Sequence, residues 1–181
     1  GSLELGLSEN GPLTALPIGV VRRRELSKGK TLKARKAVGK ALKPVSFIER
    51  ARGGTLHLVG GSWRHLAALH RLIRNEPLPQ LIEGYSVDAN KIRNFAGRVA
   101  REKPTRLKPY LRRPDRASTL PFAALVLRRL IRQSGAAKVR FSQYGIREGL
   151  LVDWLRSRAY LKPADDRQFW LNLEDIDPNL S

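Results

Sequence analysis

Cysteine is absent from the 181 residues. That excludes disulfides, thiolate nucleophiles and cysteine-based zinc sites. Methionine is absent too, even at position 1. A natural chain begins with it unless processed, so the sequence reads as an internal fragment, with Gly1-Ser2 either native or a tag remnant. No apolar run approaches the ~20 residues of a membrane span, and no signal peptide is evident. A cytoplasmic protein without membrane contact is therefore expected. Histidine is scarce: His57, His65 and His70 form no convincing metal cluster, and the last two are not spaced to stack one helical turn apart. Acidic residues are the scarcest class relative to their counterparts, with 16 Asp+Glu against 35 Lys+Arg.

The resulting formal charge of +19 predicts attraction to a polyanion. It is unevenly spread. Residues 22–52 hold twelve Lys/Arg against Glu25 and Glu49, and residues 98–116 hold eight against Glu102 and Asp115. After Pro163 the sign reverses, with Asp165, Asp166, Glu174, Asp175 and Asp177 against Arg167. A single basic residue reads as part of a solvated face, but two concentrated stretches read as a polyanion surface.

The apolar share of 41% is ordinary for a globular protein. Alternating Leu3, Leu5 and Leu7 followed by Asn10-Gly11 predict a hairpin, its second strand "ALPIGVV" marked as an edge or irregular strand by Pro17. Ala34, Ala37, Val38, Ala41 and Leu42 repeat at helical spacing within a helix over 24–42, which Gly29 and Gly39 weaken and Pro44 stops. Thr55–Val59 reads as a short buried strand. A helix follows, capped by Ser62, with Trp63, Leu66, Leu69, Leu72 and Ile73 on its apolar face. Another amphipathic helix starts near Asp88, carrying Ile92, Phe95, Ala96 and Val99. Pro104, Pro109 and Pro114 mark a loop. "STLPFAALVLRRLIRQSG" is a helix capped by Ser118 or Thr119 and stopped by Gly135. "AKVRFS" is a strand, "QYG" a turn and "IREGLLVDWLRSRAY" a helix. Trp63, Trp154 and Trp170 read as packing residues.

Strands linked by helices imply an α/β layer structure, in which ligands sit beyond the carboxyl ends of strands. Glycine stands at both strand-to-helix junctions, as Gly60-Gly61 and as Gly145. Gly60-Gly61 serves either close packing of strand on helix or an anion at the helix N-terminus, where the macrodipole leaves about half a positive charge. Gly145 is expected to make a turn that other residues strain to adopt.

Four stretches together resemble the family of exopolyphosphatases and guanosine pentaphosphate phosphohydrolases. "VGGSWRHLAALH" is similar to the glycine loop and helix of that family's second domain, and "DRASTLPFAALVL" to its Arg-Ala-x-x-Leu-Pro segment. "FSQYGIREGLLVDWL" resembles its most specific signature, Ser-x-x-Gly-hydrophobic-Arg-Glu-Gly, and "GSLEL" the end of its phosphate loop. Phe122 departs from the pattern, since small residues usually follow Leu-Pro in the family. The departure would narrow the cleft or change what it accepts.

The resemblance covers roughly residues 1–160. It implies a ribonuclease-H-like domain of the superfamily of actin, sugar kinases and heat-shock chaperones, with a mixed sheet flanked by helices. Residues 1–161 would be the second domain of a phosphohydrolase core and 162–181 an acidic tail. The implied activity of the complete protein is release of terminal phosphate from polyphosphate or guanosine pentaphosphate, assisted by Mg²⁺. This half would be inactive alone, because the family's catalytic carboxylates would lie before Gly1. Its partners would be polyphosphate or a phosphorylated guanosine nucleotide, the missing first domain, and a second copy of the chain in a homodimer. Phosphate-binding residues would be Ser2, Gly60, Gly61, Ser62 and Arg64, although Ser62 also serves as a cap and Arg64 reaches either an anion or solvent. Arg116, Gly145, Arg147 and Glu148 would support them, Glu148 structurally, by complementing the helix dipole or orienting a loop or Arg116. No catalytic residue and no metal ligand is assigned. Two rival readings use the same charge: a basic nucleic-acid-binding module, and a kinase-like or chaperone-like nucleotide binder. The first lacks any recognisable reader motif.

Overall fold

A computed structural model describes residues 2–7, 11–18 and 31–158. Asn10 of the expected hairpin turn, the first part of the helix placed over 24–42, Trp170 and the acidic tail lie outside the described residues. The chain falls into two compact units, Gly1–Gln143 and Tyr144–Ser181.

In the first unit, β1 (Leu3–Gly6) and β2 (Leu13–Leu16) pair antiparallel, Leu3 opposite Leu16 and Gly6 opposite Leu13. The alternating leucines thus form a hairpin, and β2 ends at the residue before Pro17. Next comes α1 (Thr31–Leu42), which buries Ala34, Val38 and Leu42 one turn apart. Strand β3 (Thr55–Val59) leads into α2 (Gly61–Ile73). A loop then reaches β4 (Ser86–Asp88) and α3 (Ala89–Val99). After the single turn α4 (Pro104–Leu107) come the long helix α5 (Leu120–Ser134) and β5 (Lys138–Ser142). The second unit carries α6 (Ile146–Ser157).

The main sheet has the order β3-β5-β4, with β5 parallel to β3 and antiparallel to β4. Its central strand alternates: Val139 and Phe141 are buried, while Lys138 and Arg140 are exposed. Such alternation belongs to a sheet with one covered face. Helices α2 and α3 pack against β5, and both meet α5. Strand β3 corrects the expectation of a buried strand. As an edge strand it buries only Leu58, and Val59 is exposed. Leu72 and Ile73, expected on the apolar face of α2, are exposed at its last turn. Strand β4, three residues long, carries no readable alternation and was not expected.

Helix α5 is the centre of the core. Leu120, Phe122, Ala123, Ala124, Leu125, Val126, Leu127, Leu130 and Ile131 are all buried, so its first two turns are apolar nearly all round. Phe122 points into this core. Gly135 ends the helix in the left-handed region, φ 63°, and its amide bonds Ile131 O at 3.1 Å. Gln133 Nε2 donates to Leu42 O at 2.8 Å, tying the end of α5 to the end of α1. Asp88 caps α3 by accepting from the amides of Asn90 and Lys91.

A polar cluster fastens the loop after α2. Arg71 Nε meets Glu76 Oε2 at 2.8 Å, Arg74 Nε meets Glu76 Oε1 at 2.8 Å, and Arg71 also donates to the carbonyls of Pro77 and Leu81. Tyr85 donates its hydroxyl to Glu76 at 3.3 Å and shares a 2.8 Å hydrogen bond with His70 Nδ1. Burial, joined by the charges of Arg74 and Arg98, lowers the pKa of buried His70 below 6.5 despite Glu76 opposing them. Burial would raise Glu76, but hydrogen bonds from Arg74 and Arg71 outweigh it and hold the carboxylate below 4.5.

Both shifts have the same consequence. The unfolded chain takes up protons that the folded chain resists, so the stability they contribute is complete above about pH 6.5 and is lost as the medium becomes acidic. Thermal melts should show a falling Tm from pH 7 to 5, and His70→Gln should flatten the upper part of that fall. A curve for H70Q parallel to that of the parent would rule out His70 as its source.

Candidate functional site

The parallel pair β3 and β5 ends together, with Val59 opposite Ser142. At that common end the chain leaves β3 through Gly60 and enters α2. Gly60 occupies the cap position with φ 127° and ψ 161°, a conformation open to glycine and strained for any other residue. This corrects the expected cap: Ser62 lies inside the first turn, because Gly60 turns strand into helix two residues earlier. No side chain caps α2, and no acidic residue lies in its first turn. Its first closed amide is that of Arg64, bonded to Gly60 O at 3.1 Å. The amides of Gly61, Ser62 and Trp63 have no carbonyl one turn behind them.

The surroundings of these amides are open and basic. A Cβ placed on Gly61 would meet only Arg64 Nη2, at 4.0 Å. Arg64 is exposed and anchored, its Nη1 donating to Gln143 O at 3.0 Å across to the end of β5. A guanidinium carries five N–H donors, so this anchor fixes the side chain while leaving others available. Trp63 is buried behind the loop. His65 Nδ1 lies 2.6 Å from Gly61 O. On the β5 side, Glu83 accepts from Ser142 Oγ at 2.7 Å and from the Gln143 amide at 2.8 Å, fixing the strand exit to which Arg64 is attached. Glu83 was not singled out in the sequence. Its partners are about sixty residues away, and nothing in "PQLIEGYS" announces them.

The other expected residues have local partners of their own or lie in the second unit. Ser2, just before β1, is exposed and donates its hydroxyl to Glu4, in a sheet not paired with the main one. Arg116 is exposed in the turn Pro114–Ser118, where Asp115 Oδ2 lies 3.4 Å from its Nε. In the second unit, Arg147 is exposed on the first turn of α6. Glu148 Oε2 accepts from the Gly145 amide at 2.6 Å, so its carboxylate caps the helix from the third position. Gly145 itself corrects an expectation: at φ −139° and ψ −158° its backbone is extended and open to any residue. Trp154 likewise departs from a packing role. It is 49% exposed, with the Arg158 guanidinium 5.2 Å above its ring.

The mixed sheet flanked by helices is an actin-like ATPase fold, as in the Ppx/GppA structures it resembles. The sequence model of the Ppx/GppA phosphatase family matches residues 1–158, and the chain belongs to that family. Its fold is similar to that of a solved Ppx/GppA family member of Aquifex aeolicus, at 16% identity and a TM-score of 0.62, over 81% of this chain and 49% of that one. An exopolyphosphatase from Cytophaga hutchinsonii is similar at 13% identity and a TM-score of 0.67, over 81% and 50%. The chain spans about half the length of these solved structures. Comparison with curated proteins finds no match. Among the described residues no helix is long and apolar enough to cross a membrane.

The two glycines differ in a measurable way. Gly60→Ala forces a left-sided backbone and should lower stability by about 1–3 kcal/mol. Gly61→Ala meets open space at a helix start and should change it by less than about 0.5 kcal/mol. Urea unfolding midpoints of the two variants, compared with the parent, check the contrast.

Proposed function

We propose that this chain is one wall of a phosphate cleft in a phosphoanhydride hydrolase, which releases terminal phosphate from inorganic polyphosphate or from guanosine pentaphosphate. The observation that carries the reading is the uncapped N-terminus of α2, fronted by Gly60-Gly61 at the shared end of two parallel strands. Residues 1–161 act as the second domain, and the catalytic carboxylates belong to a first domain.

The wall's contribution is electrostatic. Amides of Gly61, Ser62 and Trp63 and the positive end of α2 offer fixed donors to phosphate oxygens. Arg64, held by Gln143, adds a guanidinium whose fork matches two oxygens of one phosphate. The Gln143 link costs the arginine little further freedom when a phosphate arrives. In the complete enzyme, water attacks the terminal phosphorus in line and the bridging oxygen leaves with the chain. Donors already in place then neutralise charge on the phosphate oxygens without reorganising. The +19 charge favours a long polyphosphate over a single nucleotide.

Among the described residues no three His, Asp or Glu side chains come together to hold a metal. The Mg²⁺ that assists the complete enzyme would be held by carboxylates of the first domain together with the substrate phosphates.

Two measurements test the reading. Tripolyphosphate should bind the chain, and Gly61→Asp, which sets a carboxylate against the open amides, should weaken that binding by about tenfold or more. Phosphate release should be absent from this chain alone and appear when the upstream domain is supplied. Duplex DNA displacing polyphosphate at equal charge would instead favour a nucleic-acid-binding module.

A further inference from the structure

We propose a second oxyanion site, in the groove between α1, α3 and α5, that seats a phosphate group of an inorganic polyphosphate between arginine guanidiniums. It lies outside the Gly60–Arg64 turn and does not depend on that reading. The groove holds a cavity of about 110 Å³, lined by Arg35 of α1, Arg101 just beyond α3, and Arg128, Arg129 and Arg132 of α5. Several waters fit in such a space, and so does one tetrahedral oxyanion. No acidic residue lines it.

Among the described residues, none of the five arginines takes part in an ion pair. Moreover, Arg129 Nε is buried without a hydrogen-bond partner. Buried donors are nearly always paired, and an exception calls for a missing acceptor. Five like charges around one cavity also repel each other unless an anion sits among them.

The helices are built to bring these groups together. Gly39 stands in the middle of α1, and a Cβ there would lie 3.7 Å from Arg129 Nη2. Gly97 stands in α3, and a Cβ there would lie 3.5 Å from Arg128 Nε. Both glycines face the groove, and a Cβ at either would make only ordinary contact with the guanidinium of α5. A second trough of about 560 Å³ shares Arg129 and Arg132 and continues past Lys40 and Lys43, with Glu49 as its one acid. A chain of phosphates can thus extend from the cavity along basic residues. No aromatic side chain lines either space, so nothing offers a base a stacking platform. That favours inorganic phosphate over nucleic acid.

Calorimetric titration of the full chain with tripolyphosphate, orthophosphate and duplex DNA tests the site. Arg128→Gln with Arg129→Gln should weaken tripolyphosphate binding about tenfold or more, while the charge-matched pair Arg112→Gln with Arg113→Gln should change it less than about threefold. The loss should persist in a Gly61→Asp background, which separates this site from the α2 turn. Should the double variant fail to fold, exposed Arg132→Gln replaces it under the same expectation. Tripolyphosphate binding more tightly than orthophosphate supports a chain as the source, and equal binding supports free phosphate at the same site. Equal losses in the two double variants, or loss of the effect in the Gly61→Asp background, would overturn the proposal. So would tighter binding of duplex DNA through the same arginines.

Discussion

The burial of α5 is the constraint on which the first unit depends. Through its first two turns nearly every residue from Leu120 to Leu127 is buried, so the helix cannot present a polar face to water there. It has to be surrounded, and α1, α2 and α3 each pack on it. The alanines at 123 and 124 let those neighbours approach closely, while Leu127 and Leu130 fill the space between them. Only near its end does α5 change character, when Arg128, Arg129 and Arg132 emerge among the buried positions. The same helix that assembles the core therefore delivers three cations to one groove.

Helix α5 also fixes where β5 begins. Gly135 turns the chain out of the helix, and its carbonyl accepts from the Gly53 amide at 3.0 Å. Gly54 O then receives the amides of Ala137 and Lys138, and Ala137 O receives that of Ala89. These bonds register the starts of β3, β5 and α3 against one another. Because β3 and β5 are parallel and register from that end, they also finish together, at Val59 and Ser142. The glycine loop and the Gln143 anchor of Arg64 come side by side as a consequence.

Much of this was legible in the residues. The helical spacing of Ile92, Phe95, Ala96 and Val99 and the long apolar run after Pro121 located α3 and α5, and "VGGSW" located the turn into α2. What escaped has a common physical cause. Strand β4 is too short to show a period, and Glu83 acts through partners far along the chain. The cap of α2 is a backbone angle at Gly60, which no side-chain pattern encodes. Gly145 shows the converse, since glycine at a junction implies unusual backbone only when φ is positive. The arginine groove was hidden because its residues come from three helices. Each arginine alone reads as part of a solvated face.

Two glycines, Gly39 of α1 and Gly97 of α3, stand beside that groove. A glycine within a helix costs roughly 0.5–1 kcal/mol relative to alanine, and a Cβ at either position would make only ordinary contacts. Both face guanidiniums of α5, those of Arg129 and Arg128. Those guanidiniums belong to one cluster of like charges, an arrangement unfavourable in isolation. The amides of α2 show the same logic on a smaller scale: donors are left open and an acidic cap is withheld. In both places the fold forgoes local satisfaction where an anion can supply it. A net charge of +19 is the background against which both surfaces stand.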